Sequence, residues 1–278
     1  MLSPGALHLE PNYHPNIIRA SRPIICHREV ILEQEEYARM AALEGEHWWY
    51  RGMRSSLRRT INDLDLSPNA RILDAGCGTG GNLAWLEQTA PAFGLDLSAM
   101  ALAHACTKTS AALVRADISA LPFGSGRFNV VVCLDVLYHN CVSDDEKALL
   151  ELDRMLSPLG WLILRVPAHD WLRGCHDLQV HTTRRYSREG LRQKLWRAGY
   201  TLKFLSPIGL WLLPVAVLRR SWQMVSSNGP PHSDIKLPNK VINNMLGGLL
   251  AWESRLAARR TLPWGLSLFA IAQKSVTV

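Results

Sequence analysis

The sequence lacks several features that define whole classes of protein. Its six cysteines include no C-x-x-C pair, which argues against a zinc site and for reduced thiols in a cytoplasm. The longest apolar stretch, Leu205 to Leu218, contains two prolines and is shorter than the roughly 20 residues that span a bilayer. No internal repeat, low-complexity tract or opening secretory signal is present. We therefore expect a folded cytoplasmic protein without a spanning helix or a metal site.

The net charge of the chain does not by itself indicate a function. The 278 residues are 47% hydrophobic and 20% charged, which is typical of a globular protein. The net charge of +7 attracts acidic partners such as nucleic acid or anionic lipid, but enzymes of this size often carry such a surplus.

The chain begins irregularly and then becomes periodic. Residues 1–35 hold four prolines without sustained periodicity and predict an irregular arm, which a helical segment from about Leu32 to Leu64 follows. Short apolar runs then alternate with amphipathic stretches, as in a parallel sheet whose crossovers are helices. The sequence predicts an α/β fold with a seven-stranded, mostly parallel sheet and helices on both faces. The predicted strands cover residues 71–75, 92–96, 112–115, 128–134, 161–166, 201–205 and 266–273.

A glycine-rich turn follows the first of these strands, where the run from Asp74 to Gly80 reads DAGCGTG. Glycines permit a sharp turn and let a ligand approach more closely than a Cβ atom would allow. The G-x-G-x-G spacing differs from the G-x-G-x-x-G that seats a pyrophosphate, although Gly81 blurs the contrast. The turn by itself does not identify a ligand.

Two further acidic residues end the next two strands. Asp96 follows Asp74 by 22 positions, about the spacing at which a carboxylate binds a ribose diol. Asp117 ends the third strand and could accept from the exocyclic amine of an adenine. A single Asp in such a place also serves as a helix cap or turn former. Three of them at successive strand ends favour a nucleoside site.

These motifs occur in a characteristic order: LDAGCGTG from Leu73, GLDLS from Gly94, ADI from Ala116 and FNVVVCLDVLYH from Phe128. The combination resembles the class I S-adenosylmethionine-dependent methyltransferases of the small-molecule type, over at least residues 71–166. The resemblance implies a Rossmann-like sheet, S-adenosylmethionine as the cofactor, and methyl transfer as the activity.

The resemblance also implies which residues bind the cofactor. The glycine turn would lie against the methionine part, Asp96 would hold the ribose hydroxyls, and Asp117 would bind the adenine edge. The backbone near Leu134 would face the sulfonium. The full set expected at this site is Asp74, Gly76, Cys77, Gly78, Asp96, Leu97, Asp117, Ile118 and Leu134.

An aromatic segment precedes the predicted sheet, reading EHWWYRGMR from Glu46 to Arg54. It resembles the lead-in helix that closes over the cofactor in many small-molecule members of the family. Its aromatic rings could wall a sulfonium, and Arg51 is the expected contact of the methionine carboxylate. Alternatively, the helix packs its tryptophans on the edge of the sheet.

A long segment after the fifth predicted strand, from Pro167 to Tyr186, resembles a lid-like loop in related bacterial methyltransferases with an H-D and R-R-Y pattern. His176 and Asp177 could form a general-base pair, and His139 at the end of the fourth-strand motif is a further candidate. Alternatively, the R-R-Y residues only anchor the loop. Methyl transfer also proceeds without a base when the acceptor is reactive enough.

The acceptor is less clearly indicated. The Asn/Asp-Pro-Pro-aromatic motif of base-modifying enzymes and the Pro-Cys nucleophile are both absent, so nucleic acid is an unlikely acceptor. An apolar insertion at about residues 206–263 could wall a pocket for a lipophilic or lipid-linked acceptor, or make a peripheral membrane contact. Alternatively, it forms a helical pair that covers the sheet or makes a dimer.

Three functions follow from these observations. We favour a methyltransferase acting on a small-molecule, lipophilic or lipid-linked acceptor, ahead of an RNA- or protein-modifying methyltransferase and a non-catalytic cofactor-binding module. The predicted organisation is an arm with cofactor-covering helices (1–64), the cofactor-binding core (65–205), and an apolar helical insertion with the terminal strand (206–278). The sequence does not indicate an oligomeric state.

Overall fold

A mixed β-sheet organises the protein, and the computed structural model describes residues 17–19, 34–174, 177, 181–225 and 237–275. The strands lie in the order β1-β4-β3-β2-β5-β6-β8-β7. They are β1 (Ile17–Arg19), β2 (Ile72–Ala75), β3 (Ala92–Asp96), β4 (Ala112–Arg115), β5 (Phe128–Leu134), β6 (Leu156–Pro167), β7 (Tyr200–Ile208) and β8 (Ser267–Lys274).

The neighbours from β1 to β6 are all parallel, and β8 runs antiparallel between β6 and β7. The predicted fold class is therefore confirmed, with the predicted strands present within a few residues of their expected bounds. One expectation for the arm was wrong, because residues 17–19 form β1 and extend the sheet beyond β4. This short strand has no periodicity of its own, and its partner strand supplies the hydrogen bonds that define it.

Helices connect and cover the strands. The predicted helical segment before the sheet is two helices, α1 and α2, separated by a turn at Gly45. Local caps fix several starts: the Ser98 side chain accepts from Ala101 N, and Asp144 accepts from Glu146 N and Lys147 N. The helices are α1 (Gln34–Leu43), α2 (Trp48–Asp63), α3 (Leu83–Leu86), α4 (Ala99–Ala105), α5 (Asp145–Met155), α6 (Arg188–Arg197), α7 (Leu213–Val225) and α8 (Lys240–Arg259), with a short 3₁₀ helix at Asp170–Leu172.

The sheet is buried on both faces, because successive side chains of a strand point to opposite sides. Leu73 and Val131 belong to one apolar cluster, whereas their neighbours Ile72 and Val130 belong to the other. All four are fully buried, and burying one aliphatic side chain of this kind stabilises a fold by about 1.5–3 kcal/mol. Two cores, one on each face, therefore hold the central strands in place.

The insertion between β7 and β8 consists of α7 and α8, and α8 packs along α2. Gly52 permits the close approach, since a Cβ atom there would lie 2.6 Å from the Leu250 side chain. The Ser56 hydroxyl donates to the Ser254 hydroxyl at 2.9 Å, one turn further along both helices. None of the helices in the described part of the chain is long and apolar enough to cross a bilayer.

The topology places a crevice at the carboxyl ends of β2 and β5. The chain moves from β2 outward through β3 to β4, and then returns to the other side of β2 to form β5. Loops that leave the two sides of such a switch point separate and open a cleft between them.

Candidate active site

The cleft lies at this switch point, and α1 and α2 cover it. The glycine turn after β2 forms its floor, held by hydrogen bonds from Gly76 N and Cys77 N to the carbonyl of Leu95 at 2.7 and 2.9 Å. Gly76 has φ +88°, and a Cβ atom there would overlap with the side chain of Val136. Gly76, Cys77 and Gly78 all line the cleft, as the sequence predicted.

Asp96 joins the glycine turn to the end of β3. Its carboxylate accepts from Gly78 N at 2.9 Å and from Ser98 N at 2.8 Å, and both bonds orient it in the cleft. Burial raises its pKa, while these two hydrogen bonds act in the opposite direction. A carboxylate held in this way has remaining lone pairs for a diol.

The next strand end supplies a partly apolar slot. Leu97, Ala116 and Ile118 line it together with Asp117, which is 8% exposed. One oxygen of the Asp117 carboxylate accepts from Ser119 N at 2.7 Å. Flat apolar walls with one acidic edge suit an adenine ring, so the structure brings the predicted adenine residues together.

Asp74 lies beneath the glycine turn and is only 2% exposed. It is not among the residues that line the cleft, and its Oδ2 has no hydrogen-bond partner within the described ranges. Burial, followed by the negative charges of Asp96 and Glu44, raises its pKa to about 7. An unpartnered buried acceptor favours a nearby positive charge.

The covering helices use different residues from those that the aromatic motif suggested. Trp48 and Trp49 pack against an apolar core cluster and are not among the residues that line the cleft. Tyr50 does line the cleft, as does Tyr37 from α1. Burial raises the pKa of both tyrosines, so both hydroxyls are neutral hydrogen-bonding groups at ordinary pH.

Arg51 does not reach the cleft. Its guanidinium is exposed and donates to Asn244 on α8 at 2.9 Å. Arg54, one turn later in α2, does line the cleft, and it donates to the backbone carbonyl of Glu44 at 3.1 Å. The buried Nε of Arg54 has no partner in the described part of the chain, and burial lowers the pKa of the group. Arg54 therefore has free capacity for a carboxylate.

The far side of the cleft contains a charge pair that the sequence reasoning missed. Arg165 near the end of β6 is 6% exposed and binds the carboxylate of Asp135, with Nε 3.0 Å from each oxygen. Burial alone would lower the pKa of Arg165, but the charge and hydrogen bonds of Asp135 raise it. Asp135 lies at φ +60° in the quoted LDVLYH motif, and its link to β6 could not be predicted from spacing.

His139 lines the cleft on the same side. Its Nδ1 accepts from Cys141 N at 3.4 Å, and its ring lies edge-on to His181 with 5.8 Å between centroids. Burial, and then the neighbouring His181, lower the pKa of His139 to about 4. The imidazole is therefore neutral near pH 7 and is a weak base.

Asp177, the described member of the predicted base pair, does not line the cleft. Asp177 is 2% exposed, lies outside the residues that line the cleft, and is bound by Arg185 with Nε to Oδ1 at 2.9 Å. Its second oxygen also accepts from Gly174 N at 2.7 Å, so Asp177 anchors the loop. His176 lies outside the described residues. Tyr186 of the R-R-Y pattern also fits the alternative in which these residues anchor the loop, since its hydroxyl donates to the carboxylate of Asp145 at 2.9 Å.

The residues present fit S-adenosylmethionine. The glycine turn leaves a cradle that a side chain at Gly76 would fill, and the buried acceptor of Asp74 suits the positive end of the cofactor. Asp96 would hold the ribose and Arg54 the methionine carboxylate. Leu134 lines the cleft at the end of β5.

Comparison with known proteins agrees with this geometry. Residues 73–164 match a family described as "Methyltransferase domain". The chain contains a class I S-adenosylmethionine-dependent methyltransferase domain. The predicted cofactor, S-adenosylmethionine, is confirmed by this match.

Two curated relatives resemble this methyltransferase domain. One is a malonyl-[acyl-carrier protein] O-methyltransferase of Enterobacter lignolyticus, 38% identical over 148 residues, which cover 49% of this chain and 58% of the relative. The other is a trans-aconitate 2-methyltransferase of Deinococcus radiodurans, 36% identical over 132 residues, which cover 44% and 47%. The chain thus spans about half the length of the curated relatives it matches.

A solved structure of a SAM-dependent methyltransferase from Thermotoga maritima is similar over a longer range. It has a TM-score of 0.55, is 16% identical, and covers 87% of this chain and 95% of its own. At this level of identity the likeness shows the fold alone.

Proposed function

We propose that the protein transfers a methyl group from S-adenosylmethionine to a small-molecule, lipophilic acceptor. The observation that carries this proposal is the contrast between the two halves of one cleft. The cofactor half is acidic, with Asp96 and Asp117 on its wall and Asp74 beneath it. An acidic half suits a sulfonium cation, because opposite charges attract strongly where water is excluded.

The other half carries polar groups without a net charge. Asp135 and Arg165 neutralise each other, and His139 and Tyr50 are neutral at ordinary pH. Apolar side chains also line the cleft, among them Leu134, Val136 and Val142. A lipophilic acceptor with one nucleophilic group would lose little hydration in entering such a space.

When bound, the cofactor supplies a methyl group on a positively charged sulfur. The chain contributes alignment of the two reactants, which is the larger part of catalysis in such a displacement. Because Nδ1 of the neutral His139 ring accepts from Cys141 N, the ring proton lies on Nε2, so His139 would donate a hydrogen bond that positions the acceptor molecule and would not remove a proton from it. The curated relatives support a small acyl or carboxylic group as the acceptor, since one is named for malonyl-[acyl-carrier protein] and the other for trans-aconitate.

Cofactor binding can be tested by calorimetry on Asp96→Asn. We expect affinity to fall roughly 10- to 100-fold, because a charged hydrogen-bond acceptor at the ribose contributes about 1.5–3 kcal/mol. The matched control is Asp65→Asn, an exposed residue in the loop before β2, which should leave affinity unchanged. Equal affinities for both variants would contradict the assigned site.

The acceptor can be found with a cofactor that carries a labelled methyl group. The protein is incubated with cell extract separated into lipid, aqueous, RNA and protein fractions, and labelled products are identified by mass spectrometry. We expect label in a low-molecular-weight lipophilic product, and much less of it with Asp96→Asn at a low concentration of cofactor. Label confined to RNA or protein would overturn the proposed acceptor class.

A further inference from the structure

The helix α8 exposes large apolar side chains on the side that faces away from the protein, although its buried side holds polar residues beside Leu250 and Ala257. Its polar residues Asn243, Glu253 and Ser254 are buried, with exposed fractions of 6%, 1% and 8%. Its apolar residues Val241 and Met245 are 75% and 69% exposed. A surface helix normally buries its apolar stripe and exposes polar groups, so this outward side is suited to a non-aqueous environment.

The buried polar residues of α8 are fully used by the body of the protein. Asn243 donates to the carbonyl of Glu46 at 2.8 Å and accepts from Trp48 N at 2.9 Å. Glu253 accepts from the backbone N–H groups of Gly209 and Trp211. These bonds fix the rotation of α8 about its axis, so the apolar side cannot turn inward.

The exposed apolar side continues onto neighbouring elements. The rings of Trp211 and Trp252 lie 6.1 Å apart, and each is about half exposed. Together with α7 they define what we call the outer face. Its members are Trp211, Val215, Leu218, Val241, Met245 and Trp252.

Further aromatic rings extend the outer face along the sheet edge that holds the cofactor cleft. His169 lies between Trp171 and Trp264, with ring centroids at 5.5 and 5.7 Å, and both tryptophans are more than half exposed. The 3₁₀ helix that carries Trp171 contacts α7. Tryptophans concentrate where an apolar phase meets water, as at the surface of a bilayer.

Charge decides between a membrane and a second protein chain as the occupant. Residues 206–266 carry seven lysines and arginines against two acidic residues. Of those two, Glu253 is buried in the bonds described above, and Asp234 lies outside the described residues, as does Lys236 among the seven basic residues. A second copy would bring this basic segment against itself, whereas anionic lipid headgroups complement it.

We propose that the outer face docks on the surface of an anionic lipid bilayer. The apolar side chains would enter the boundary between headgroups and acyl chains, and the basic residues would meet lipid phosphates. If the proposed function also holds, the cleft would take its acceptor from the membrane, because both lie at the same edge of the sheet.

The test is sedimentation with vesicles, without cofactor or acceptor, so its result does not depend on methyl transfer. Wild-type protein should bind vesicles of phosphatidylcholine mixed with phosphatidylglycerol, and bind pure phosphatidylcholine much less. The variant Val241→Glu/Met245→Glu should bind roughly tenfold less, because it loses apolar contact and adds negative charge. Leu218→Glu on α7 should act in the same direction. The control Trp196→Glu, on the separate helix α6 and 75% exposed, should bind like wild type.

Cofactor affinity, measured by calorimetry, should be equal in all of these proteins and would show that the variants are folded. Absence of wild-type binding to anionic vesicles would overturn the proposal, as would unchanged binding by Leu218→Glu and the double variant. A wild-type dimer in sedimentation equilibrium that these substitutions abolish, without vesicle binding, would assign the outer face to a second copy instead.

Discussion

The buried carboxyl of Asp74 makes the stability of the free protein depend on pH. Burial and the charges of Asp96 and Glu44 raise its pKa from 3.8 to about 7. An acid with a higher pKa in the folded than in the unfolded state favours folding while it is protonated and opposes folding once it is ionised. The folded protein therefore loses this contribution as the pH rises from about 4 to above 7.

The size of the effect follows from the shift. Three pH units correspond to roughly 4 kcal/mol, and roughly 2–3 kcal/mol of this develops between pH 5 and pH 8. We propose to measure the free energy of unfolding in urea for wild type and Asp74→Asn at both pH values. The difference between the two proteins should change by that amount, with the variant gaining relative stability at pH 8. Contributions from other acids with raised pKa values, such as Asp153, are common to both proteins and cancel.

Cofactor binding should show the same linkage. A positively charged ligand favours ionised Asp74, so wild-type affinity should rise between pH 6 and pH 8, whereas the affinity of Asp74→Asn should be nearly flat. Calorimetry at several pH values measures both. A variant with the same pH dependence of stability and of affinity as wild type would refute the reasoning.

Three further predictions concern other parts of the cleft. Gly76→Ala should lower the free energy of unfolding by about 2–4 kcal/mol in thermal unfolding. Adding Val136→Ala to the same chain should restore the share of this loss that comes from overlap with the Val136 side chain, but not the share that comes from the positive φ of residue 76. Recovery of none of the loss would contradict the geometry. Arg54→Met should weaken cofactor binding roughly tenfold in calorimetry. Arg51→Met should not, and the reverse order would contradict our assignment. In an NMR titration, the imidazole of His139 should protonate with a midpoint below pH 5, and a midpoint near 6.5 would show that it is not buried as described.

Much of the fold could be predicted because its signals are local. The alternation of apolar runs with amphipathic stretches located every strand of the sheet except β1, and turn chemistry located the acidic and glycine-rich loops. The edge strand β1 could not be predicted, since three residues have no period and depend on pairing with β4. Which loops meet in the cleft followed from parallel strands having their carboxyl ends at one edge.

The roles of residues in the covering helices and in the acceptor half of the cleft depend on partners that are far away in the sequence, so these roles could not be predicted. Arg51 and Arg54 are one turn apart in one helix, and only the position of Asn244 on α8 shows which of them is taken from the cleft. The carboxylate of Asp177 is the kind of group that can act as a catalytic base, but its ion pair with Arg185 makes it an anchor of the loop. The ion pair of Asp135 and Arg165 in the acceptor half could not be predicted for the same reason, because it joins two strand ends that are 30 residues apart in the sequence.

The sequence by itself determined the succession of strands and helices in the core, the glycine turn and the acidic residues at successive strand ends, because periodicity and turn formation act over a few neighbouring residues. Only the tertiary structure decided which arginine faces the cleft, which carboxylates are neutralised, and which side of α8 is exposed. Those outcomes depend on the packing of elements far apart in the chain, and burial there sets both the charge and the accessibility of each side chain.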